Sequence, residues 1–429
     1  MAESGFIMLA EQIKSNSSVK ILHIIAGDIK GGAARGALWL HQGLLDMHVE
    51  SRILTNSKET LANHTISSVA QTTRDLISNA IRARADQLPV MLYRNRKTEI
   101  FSTAIVGYNF LKHPLFEWAD IIHLHWINGG FVNIRHLAKI KKPIVWTLRD
   151  MWPLTGGCHI ALDCTKYQTG CGACPQLAST NQNDLSKYTL YRKKKYIPKK
   201  TALVGISQWI SDCARQSSLF SDFNILTISN NINCNDFFPI EKNTARKLLG
   251  LPTNEKILLV GAQKINDHSK GFDKFIEAMN YLKEPPFLLF FGKIDSTFFE
   301  TTKFKGKSLG FLSDTISLRI VYSAADVFVA PTLMDSFGKT LAEAMACGTP
   351  VVCFDATGPK DIVDHKINGY KAKPFSTMDL AEGIKWVLSN GGDDLSGKAR
   401  KKAVENFDSS IIAAKYQKLY IQLLEQTAS

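Results

Sequence analysis

The chain has 429 residues, of which 45% are hydrophobic and 21% charged, and its formal net charge is +13. This length exceeds that of one typical domain, so two domains of roughly 200 residues each are expected. No apolar run approaches the ~18 residues that a membrane-spanning helix requires. The first residues include acidic side chains where a signal peptide carries positive charge, so we expect a cytoplasmic protein.

The chain opens with an alternation of strands and helices. An apolar run at Val19–Gly27 precedes a glycine loop and a helical run, and the sequence ESRILTN then reads as a strand. Further strands are predicted at Ala119–Ile127, at Pro143–Leu148 and after Thr201. Strands that alternate with helices predict a parallel, doubly wound α/β sheet.

The first glycine loop, GDIKGGAARGA, does not have the spacing of a dinucleotide-binding loop. The next strand also ends in Thr55-Asn56 rather than in an acid that would bind a ribose, which argues against a nicotinamide enzyme. The pair Gly31-Gly32 at a helix start suits a diphosphate or a sugar hydroxyl held close to the backbone. A tight turn without a ligand would use the same residues.

Polar residues follow two strands of the predicted first sheet. His123 and His125 alternate on one strand and therefore point to the same face. They suit a polar edge near the carboxyl end of the sheet better than a metal site. The next strand is followed by Arg149 and Asp150. Ligands of open α/β sheets bind at this carboxyl edge.

Four of the eight cysteines lie within seventeen residues. They are Cys158, Cys164, Cys171 and Cys174. A cytoplasmic protein keeps its thiols reduced, so clustered cysteines suggest a metal, and Cys171-Gly-Ala-Cys174 is a suitable zinc half-site. The full C-x5-C-x6-C-x2-C spacing is not that of a standard finger. A structural zinc and a set of metal-free thiols therefore both remain open.

Two stretches carry much of the positive charge. Lys187–Lys200 contains Lys193-Lys194-Lys195 with interleaved tyrosines, and Ile81–Lys97 combines basic and apolar residues. Such stretches suit an anionic membrane surface or a nucleic acid. An ordinary solvent-exposed face would show the same pattern of basic and aromatic residues.

A second domain follows an Asn-rich, Pro-terminated segment. We take 1–228 as the first domain with a cysteine-rich insert at 155–177, 229–240 as a linker and 241–405 as the second domain. Strands are predicted at Lys256–Gly261, Phe287–Gly292 and Ala325–Pro331. The remaining segment, 406–429, is predicted to form a helix that packs back toward the first domain.

The most informative segment is PTLMDSFGKTLAEAMACGTPVVCF, Pro331–Phe354. Asp335 lies in a loop, Phe337-Gly338-Lys339 opens a helix, and Glu343 lies inside that helix. The free N–H groups of a helix start bind phosphate, and Gly338 allows a ligand to approach the backbone. The Asp-x7-Glu spacing within this segment resembles the donor-sugar motif of glycosyltransferase family 4, which normally reads Glu-x7-Glu.

The resemblance extends over nearly the whole chain, through the GG loop, the HxH strand, the linker, the Lys270-Gly271 helix start and the acidic motif. It implies a GT-B fold, with two Rossmann-like domains facing across a cleft. It also implies transfer of a sugar, with retention of configuration, from a nucleotide-sugar to a growing polysaccharide or lipid-linked oligosaccharide. No catalytic metal is implied. The insert TGGCH…CGxCPQL is similar to one in a bacterial surface-polysaccharide branch of the family.

The resemblance also implies roles for individual residues. Glu343 would bind the ribose hydroxyls, Asp335 a donor-sugar hydroxyl, and Lys270 the diphosphate. The amides of Phe337, Gly338 and Lys339 would hold the diphosphate as well, and Gly31 and Gly32 would face the cleft.

Two positions depart from the family pattern. The arginine that normally accompanies the phosphate-binding lysine is Ala262 here, and Lys264 is the candidate substitute. The usual histidine after the HxH region is Arg149. Asp150 is then the candidate for a role near the acceptor hydroxyl, and Arg149 and His125 are further candidates for catalytic residues.

Two other classes of protein remain as alternatives. A GT-B epimerase or phosphorylase would share the architecture. A nucleic-acid-binding protein with a zinc knuckle would explain the charge but not the Asp335–Glu343 motif, so no nucleic-acid partner is expected. With a lipid-linked acceptor, the basic stretches would face the inner leaflet and the protein would be peripheral to the membrane.

Overall fold

The structure, a computed structural model, describes residues 19–27, 31–57, 64–97, 99–265, 267–294 and 298–428. Within these ranges the strands form two sheets, of seven and six strands. Each pairing between named strands is parallel. The predicted architecture of two doubly wound parallel sheets is therefore confirmed.

The first sheet lies in the N-terminal domain. Its strands are β1 (Lys20–Ile25), β2 (Glu50–Thr55), β3 (Ile66–Ser68), β4 (Ile121–Leu124), β5 (Ile144–Leu148), β6 (Ala202–Gly205) and β7 (Ile225–Thr227). Their order is β3-β2-β1-β4-β5-β6-β7. The helices are α1 (Gly32–Asp46), α2 (Thr73–Met91), α3 (Pro114–Trp118), α4 (Lys166–Thr169), α5 (Leu185–Tyr196) and α6 (Gln208–Gln216).

The second sheet lies in the C-terminal domain. Its strands are β8 (Ile257–Lys264), β9 (Phe287–Lys293), β10 (Gly306–Ser308), β11 (Val327–Ala330), β12 (Val351–Phe354) and β13 (Gly369–Ala372), in the order β10-β9-β8-β11-β12-β13. The helices are α7 (Lys242–Leu249), α8 (Phe272–Met279), α9 (Phe298–Thr301), α10 (Thr315–Ala324), α11 (Lys339–Ala346), α12 (Thr377–Asn390) and α13 (Asp393–Phe407). The central strands are buried along their length because helices cover both faces.

The last helix, α14 (Ser409–Ala428), returns to the first domain. Its residues Ile412 and Tyr416 share one buried cluster with Leu40 of α1 and Val145 of β5. The chain thus crosses between the domains twice, once at the linker and once at α14. The two crossings are joined where the Ser409 N–H donates to the Ile232 carbonyl at 2.9 Å. This connection holds the carboxyl edge of the first sheet opposite the start of α11.

The basic stretch Lys187–Lys200 is only partly exposed. The Lys193 side chain is 1% exposed, and its Nζ donates to the Trp152 carbonyl and, at 2.8 Å, to the Thr155 carbonyl. The ammonium also lies 3.6 Å from the centre of the Trp152 ring, and burial lowers the pKa of Lys193 to about 7. The expectation that Lys193 belongs to a solvated basic face is therefore wrong. Across the described residues, no helix combines the length and hydrophobicity needed to cross a bilayer.

Candidate active site

A cavity of about 320 Å³ lies between the two domains. The first domain and the linker line one side, and the second domain lines the other. The polar and glycine residues of its wall are Gly32, Arg149, Asn230, Gly261, Lys270, Thr332, Asp335, Gly338, Lys339 and Thr340. The fold thus brings together the glycine loop, the residue after β5 and the acidic motif, which are more than a hundred residues apart in sequence.

Helix α11 begins at the wall of this cavity. Gly338 is its N-cap with φ +96°, a conformation that favours glycine, and no side chain caps the helix start. The N–H groups of Phe337 and Gly338 donate to Asp335 Oδ1 at 3.1 and 3.0 Å. These two amides, which the sequence predicted to hold the diphosphate, are therefore occupied by Asp335. The amides of Lys339 and Thr340 follow them at the cavity wall.

Asp335 also forms an ion pair with Lys270, whose Nζ lies 2.9 Å from Asp335 Oδ2. Burial opposes both charges. The ion pair and the two backbone hydrogen bonds outweigh burial, so the pKa of Asp335 is below its ordinary value and the pKa of Lys270 above its own. Both groups are charged near neutral pH. The structure thus places a carboxylate and an ammonium together in the cavity wall.

Glu343 lies one turn further along α11 and is 1% exposed. Its Oε2 accepts a hydrogen bond from the Tyr322 hydroxyl at 3.0 Å. Its Oε1 has no hydrogen-bond partner, although Lys339 Nζ and an Arg35 nitrogen lie 3.8 and 4.0 Å away. A buried carboxylate oxygen with cations nearby and no donor in contact can accept a hydrogen bond from a ligand hydroxyl. Burial lowers the pKa of Lys339 to about 8.

Arg149 lines the opposite side of the cavity. One terminal nitrogen donates to Asn230 Oδ1 at 2.5 Å, and the other lies 3.3 Å from His125 Nδ1. Burial lowers the pKa of Arg149 to about 10, so the guanidinium is charged at neutral pH. Gly36 of α1 allows this placement, since a Cβ there would lie 2.6 Å from the Arg149 NH1 nitrogen.

The two histidines of β4 share one face, as predicted, and His23 of β1 joins them. The ligand atoms of these three residues all lie within 4.8 Å of one another. His123 uses both ring nitrogens in hydrogen bonds of 2.7 Å, one to the Tyr420 hydroxyl and one to the Thr147 hydroxyl. Burial lowers the pKa of each of the three histidines well below its ordinary value. The arrangement therefore favours a neutral hydrogen-bonded cluster over a metal site.

Asp150 lies outside the residues that line the cavity. Its Oδ2 accepts hydrogen bonds from Trp126 Nε1 at 3.0 Å and from His159 Nδ1 at 2.6 Å, and its Oδ1 accepts one from the Trp152 N–H at 2.9 Å. These contacts join β5 to the start of the cysteine-rich insert. A role for Asp150 near the acceptor hydroxyl stays a prediction.

The remaining residues predicted for the donor site lie in the glycine loop and at the end of β8. Gly31 is the N-cap of α1, and Gly32 lines the cavity. Ala262 lines it as well. The backbone of Lys264 ends β8, but its side chain falls outside the described residues.

The four clustered cysteines line one small pocket in the first domain. All four are free thiols. Burial raises the pKa of Cys158 to about 12 and of Cys171 to about 11. Among the residues that the structure describes, the group of three or more potential ligand atoms within 4.8 Å is the histidine cluster, so no three of the four sulfur atoms lie that close to one another. Zinc binding here stays a prediction.

Three residues of the site were missed by sequence reasoning. Arg35 of α1 reaches the second domain, where its guanidinium donates to the Ser313 carbonyl at 2.7 Å. Tyr322 of α10 orients Glu343, and Asn230 of the linker holds Arg149. Of these three residues, only Arg35 could have been found from the sequence. A basic residue in the first turn of a helix, near phosphate-binding glycines, is a candidate ligand.

A known family model matches the C-terminal domain of the chain. Residues 241–407 match the family model of Glycosyl transferases group 1. The match covers the C-terminal domain from α7 to α13. The cavity wall formed by Lys270, Asp335 and α11 lies within the matched residues.

Two curated relatives act on bacterial glycans by name. The protein assigned as colanic acid biosynthesis glycosyl transferase WcaC of Escherichia coli (strain K12) is 24% identical over 372 residues, 82% of this chain and 87% of its own length. The N,N'-diacetylbacillosaminyl-diphospho-undecaprenol alpha-1,3-N-acetylgalactosaminyltransferase of Campylobacter jejuni is 28% identical over 205 residues, 45% of this chain. The second match spans 53% of that relative, so it concerns about half of each protein.

Solved structures show the same fold over the full chain. Sucrose-phosphate synthase from Thermosynechococcus elongatus superposes with a TM-score of 0.69 at 19% sequence identity. The superposition covers 96% of this chain and 100% of that one. The two domains are therefore arranged as in the GT-B fold.

Proposed function

We propose that this protein transfers a sugar from a nucleotide-sugar to a growing polysaccharide or lipid-linked oligosaccharide, with retention of anomeric configuration. The observation that carries the proposal is the start of α11, where Asp335 and Lys270 form an ion pair in the wall of a cavity between two domains. One turn further along the same helix, Glu343 holds a buried carboxylate oxygen that has no hydrogen-bond partner. The names of the two bacterial relatives support an acceptor in glycan assembly.

The electrostatics of the cavity suit a nucleoside diphosphate. The uncapped start of α11 presents N–H groups and the positive end of the helix dipole, both of which favour phosphate oxygens. The Glu343 oxygen without a hydrogen-bond partner suits a ribose hydroxyl. Asp335, already neutralised by Lys270, suits a hydroxyl of the transferred sugar.

The proposed reaction needs no redox partner and no catalytic metal. The bond between the anomeric carbon and the distal phosphate oxygen breaks, and its electron pair stays on that oxygen. The acceptor hydroxyl oxygen forms the new bond on the same face of the sugar, and its proton leaves with the nucleoside diphosphate or enters solvent. Pre-placed cations and amides stabilise the charge that develops on the departing phosphate.

A thermal-shift screen of UDP-, GDP-, ADP- and TDP-sugars tests the donor class. A ligand at a hundred times its Kd stabilises the folded protein by about 2.7 kcal/mol, so the correct base should stand out. The chosen donor is then incubated with and without a polyprenyl-diphosphate-linked sugar, and released nucleotide is measured. Failure of every nucleotide to stabilise the protein contradicts the proposal, and an epimerised donor without nucleotide release indicates an epimerase instead.

We further propose that the protein docks on an anionic membrane through its first domain. The outer face of α2 exposes large apolar side chains, from Ile77 at 56% to Leu92 at 81%. Ile77, Ile81, Leu88, Met91 and Leu92 fall within about 100° of the helix circumference, which is the pattern of an interfacial helix. Exposed arginines flank these residues at Arg74, Arg84, Arg94 and Arg96.

The two basic stretches of the sequence meet in the fold. The Leu185 N–H, at the start of α5, donates to the Tyr93 hydroxyl at 3.0 Å, just after α2. The exposed face of α5 carries Lys187, Tyr188, Tyr191, Lys194 and Lys195. We name the exposed residues of α2 and α5 together the basic–apolar face. Its cations suit anionic lipid headgroups at about 1 kcal/mol each, and its apolar side chains suit the acyl boundary.

A further inference from the structure

The cation at Arg149 has no carboxylate partner among the described residues, although it is half-buried in the wall of the proposed donor cavity. The other two cations in the wall differ from it. Lys270 lies 2.9 Å from Asp335, and Lys339 lies 3.8 Å from Glu343. Arg149 therefore carries the charge in this cavity that no neighbouring acid offsets.

The hydrogen bonds of Arg149 position it without neutralising it. A guanidinium only donates, so His125 Nδ1 must accept from it, which places the His125 proton on Nε2. That proton is donated to His23 Nδ1 at 2.9 Å, and His23 in turn carries its proton on Nε2. Both rings are neutral because burial lowers the pKa of each well below its ordinary value. The remaining partner, Asn230, is a neutral amide.

The backbone around Arg149 is shaped to hold the guanidinium in this place. A Cβ at Gly36 would lie 2.6 Å from Arg149 NH1 and 2.8 Å from Asn230 Oδ1. The Nε atom of Arg149 is buried and has no hydrogen-bond partner in the structure. A charge that is partly removed from water and has no counter-ion is costly, so its retention in a cavity indicates an anionic ligand group.

The second domain contributes an apolar residue to this cavity, since Ala262 of β8 lines its wall. Since Lys270 is paired with Asp335, the second domain contributes little net positive charge at this point. Arg149 lines the same cavity from the first domain.

We propose that Arg149 binds the diphosphate of the donor and supplies, from the first domain, a positive charge that no neighbouring acid offsets. The inference rests on the proposed function. The planar fork of arginine matches phosphate oxygens with paired hydrogen bonds. As the bond to the anomeric carbon breaks, the electron pair left on the distal phosphate is stabilised by this charge. Donor binding then joins the two domains through one phosphate group.

The test compares nucleoside diphosphates with monophosphates. Binding of UDP, UMP, GDP and GMP to the full-length parent, Arg149→Gln and Arg149→Lys is measured by calorimetry. Arg74→Gln, an exposed arginine on α2, is the matched control. For Arg149→Gln we expect the diphosphate affinity to fall about 10- to 100-fold, the range of one charged hydrogen-bonding contact. The monophosphate affinity should change much less, because Arg149 is assigned to the distal phosphate.

Several outcomes would overturn the inference. Unchanged UDP and GDP affinities in Arg149→Gln, or equal losses for diphosphates and monophosphates, would show that Arg149 does not contact the distal phosphate. A loss seen with UDP-glucuronate but not with UDP-glucose or UDP would assign Arg149 to a sugar carboxylate. If Arg149→Gln does not fold, an unchanged diphosphate preference in Arg149→Lys overturns the inference in the same way. If the parent binds none of the nucleotides, the proposed function itself fails.

Discussion

The guanidinium of Arg35, on the first domain, lies 4.0 Å from the carboxylate of Glu343, on the second. The same arginine donates to the Ser313 carbonyl at 2.7 Å, so it spans the cleft at two points. Glu343 Oε1, the oxygen that faces Arg35, is also the oxygen assigned to the ribose. The proposed donor site thus lies across the boundary between the domains, where Arg35 contacts Glu343 and Ser313.

Replacing Glu343 by glutamine should weaken nucleotide binding at least 10-fold, the value of a hydrogen bond to a charged group. The amide retains the shape of the side chain, so the melting temperature should change little. Calorimetric titration with the nucleotide selected by the thermal-shift screen measures the effect, with the exposed Glu382→Gln of α12 as control. Wild-type affinity in Glu343→Gln would remove this residue from the donor site.

Replacing Lys193 by methionine should destabilise the protein, whereas Lys194→Met should not. Lys193 donates to two buried carbonyls, and leaving such acceptors unpaired costs about 1–3 kcal/mol each. Lys194 is exposed, and substitutions at exposed sites change stability by about 0.5 kcal/mol or less. Urea unfolding at neutral pH measures both variants. Equal stability of the two would contradict the buried position of Lys193.

The pH dependence of stability offers a separate test of Lys193. Its pKa is about 7 in the folded protein against an ordinary value of 10.5. Between these values the unfolded chain binds the proton more tightly than the folded one, so stability rises with pH in that window. The free energy of unfolding of the parent should therefore increase relative to that of Lys193→Met from pH 7 to about 10.5. A flat difference over this window would show that burial does not depress the pKa of Lys193.

Metal analysis of the purified protein tests the cysteine cluster. We expect close to one zinc per chain, and Cys171→Ser or Cys174→Ser should release it and lower the melting temperature, because structural zinc contributes directly to folding. Cys213→Ser, a buried cysteine outside the cluster, should keep the metal. If the purified parent contains no metal and its four clustered thiols react with a thiol reagent after unfolding, the prediction of a zinc site is wrong.

Vesicle co-sedimentation tests the basic–apolar face. A double variant, Leu88→Ser with Leu92→Ser, should lose binding to phosphatidylglycerol-containing vesicles, and Lys194→Gln with Lys195→Gln should weaken it. The electrostatic part should disappear in 1 M salt, where the Debye length falls to about 3 Å. Ile316→Ser, an equally exposed apolar residue on α10 of the second domain, is the control. If the parent and all variants sediment equally with the vesicles, the basic–apolar face does not bind the membrane.

Much of the fold could be predicted from the sequence because the deciding information is local. The central strands are continuous apolar runs, and such runs are buried by helices on both faces of a parallel sheet. The strands β3, β7, β10 and β13 were missed because three or four residues are too few to show a period. These short strands form only because an established neighbouring strand offers its free edge.

The acidic motif could be predicted for the same reason. Asp335, Gly338 and Glu343 lie within two turns of one helix start, so their spacing alone places them together. The sequence by itself therefore determined the two-domain class and the second-domain half of the candidate site. The physical basis is that helix starts, glycine conformations and strand burial depend on residues close in sequence.

Only the tertiary structure decided which charges are buried and which domains they join. Lys193 and Lys194 are neighbours in one basic run, yet the first is enclosed by Trp152 and the second is exposed. The environment of Arg149 depends on Asn230 of the linker and on His125 at the end of β4, which are distant from it in sequence. Burial and counter-charge are set by contacts between distant segments, and a sequence pattern does not carry that information.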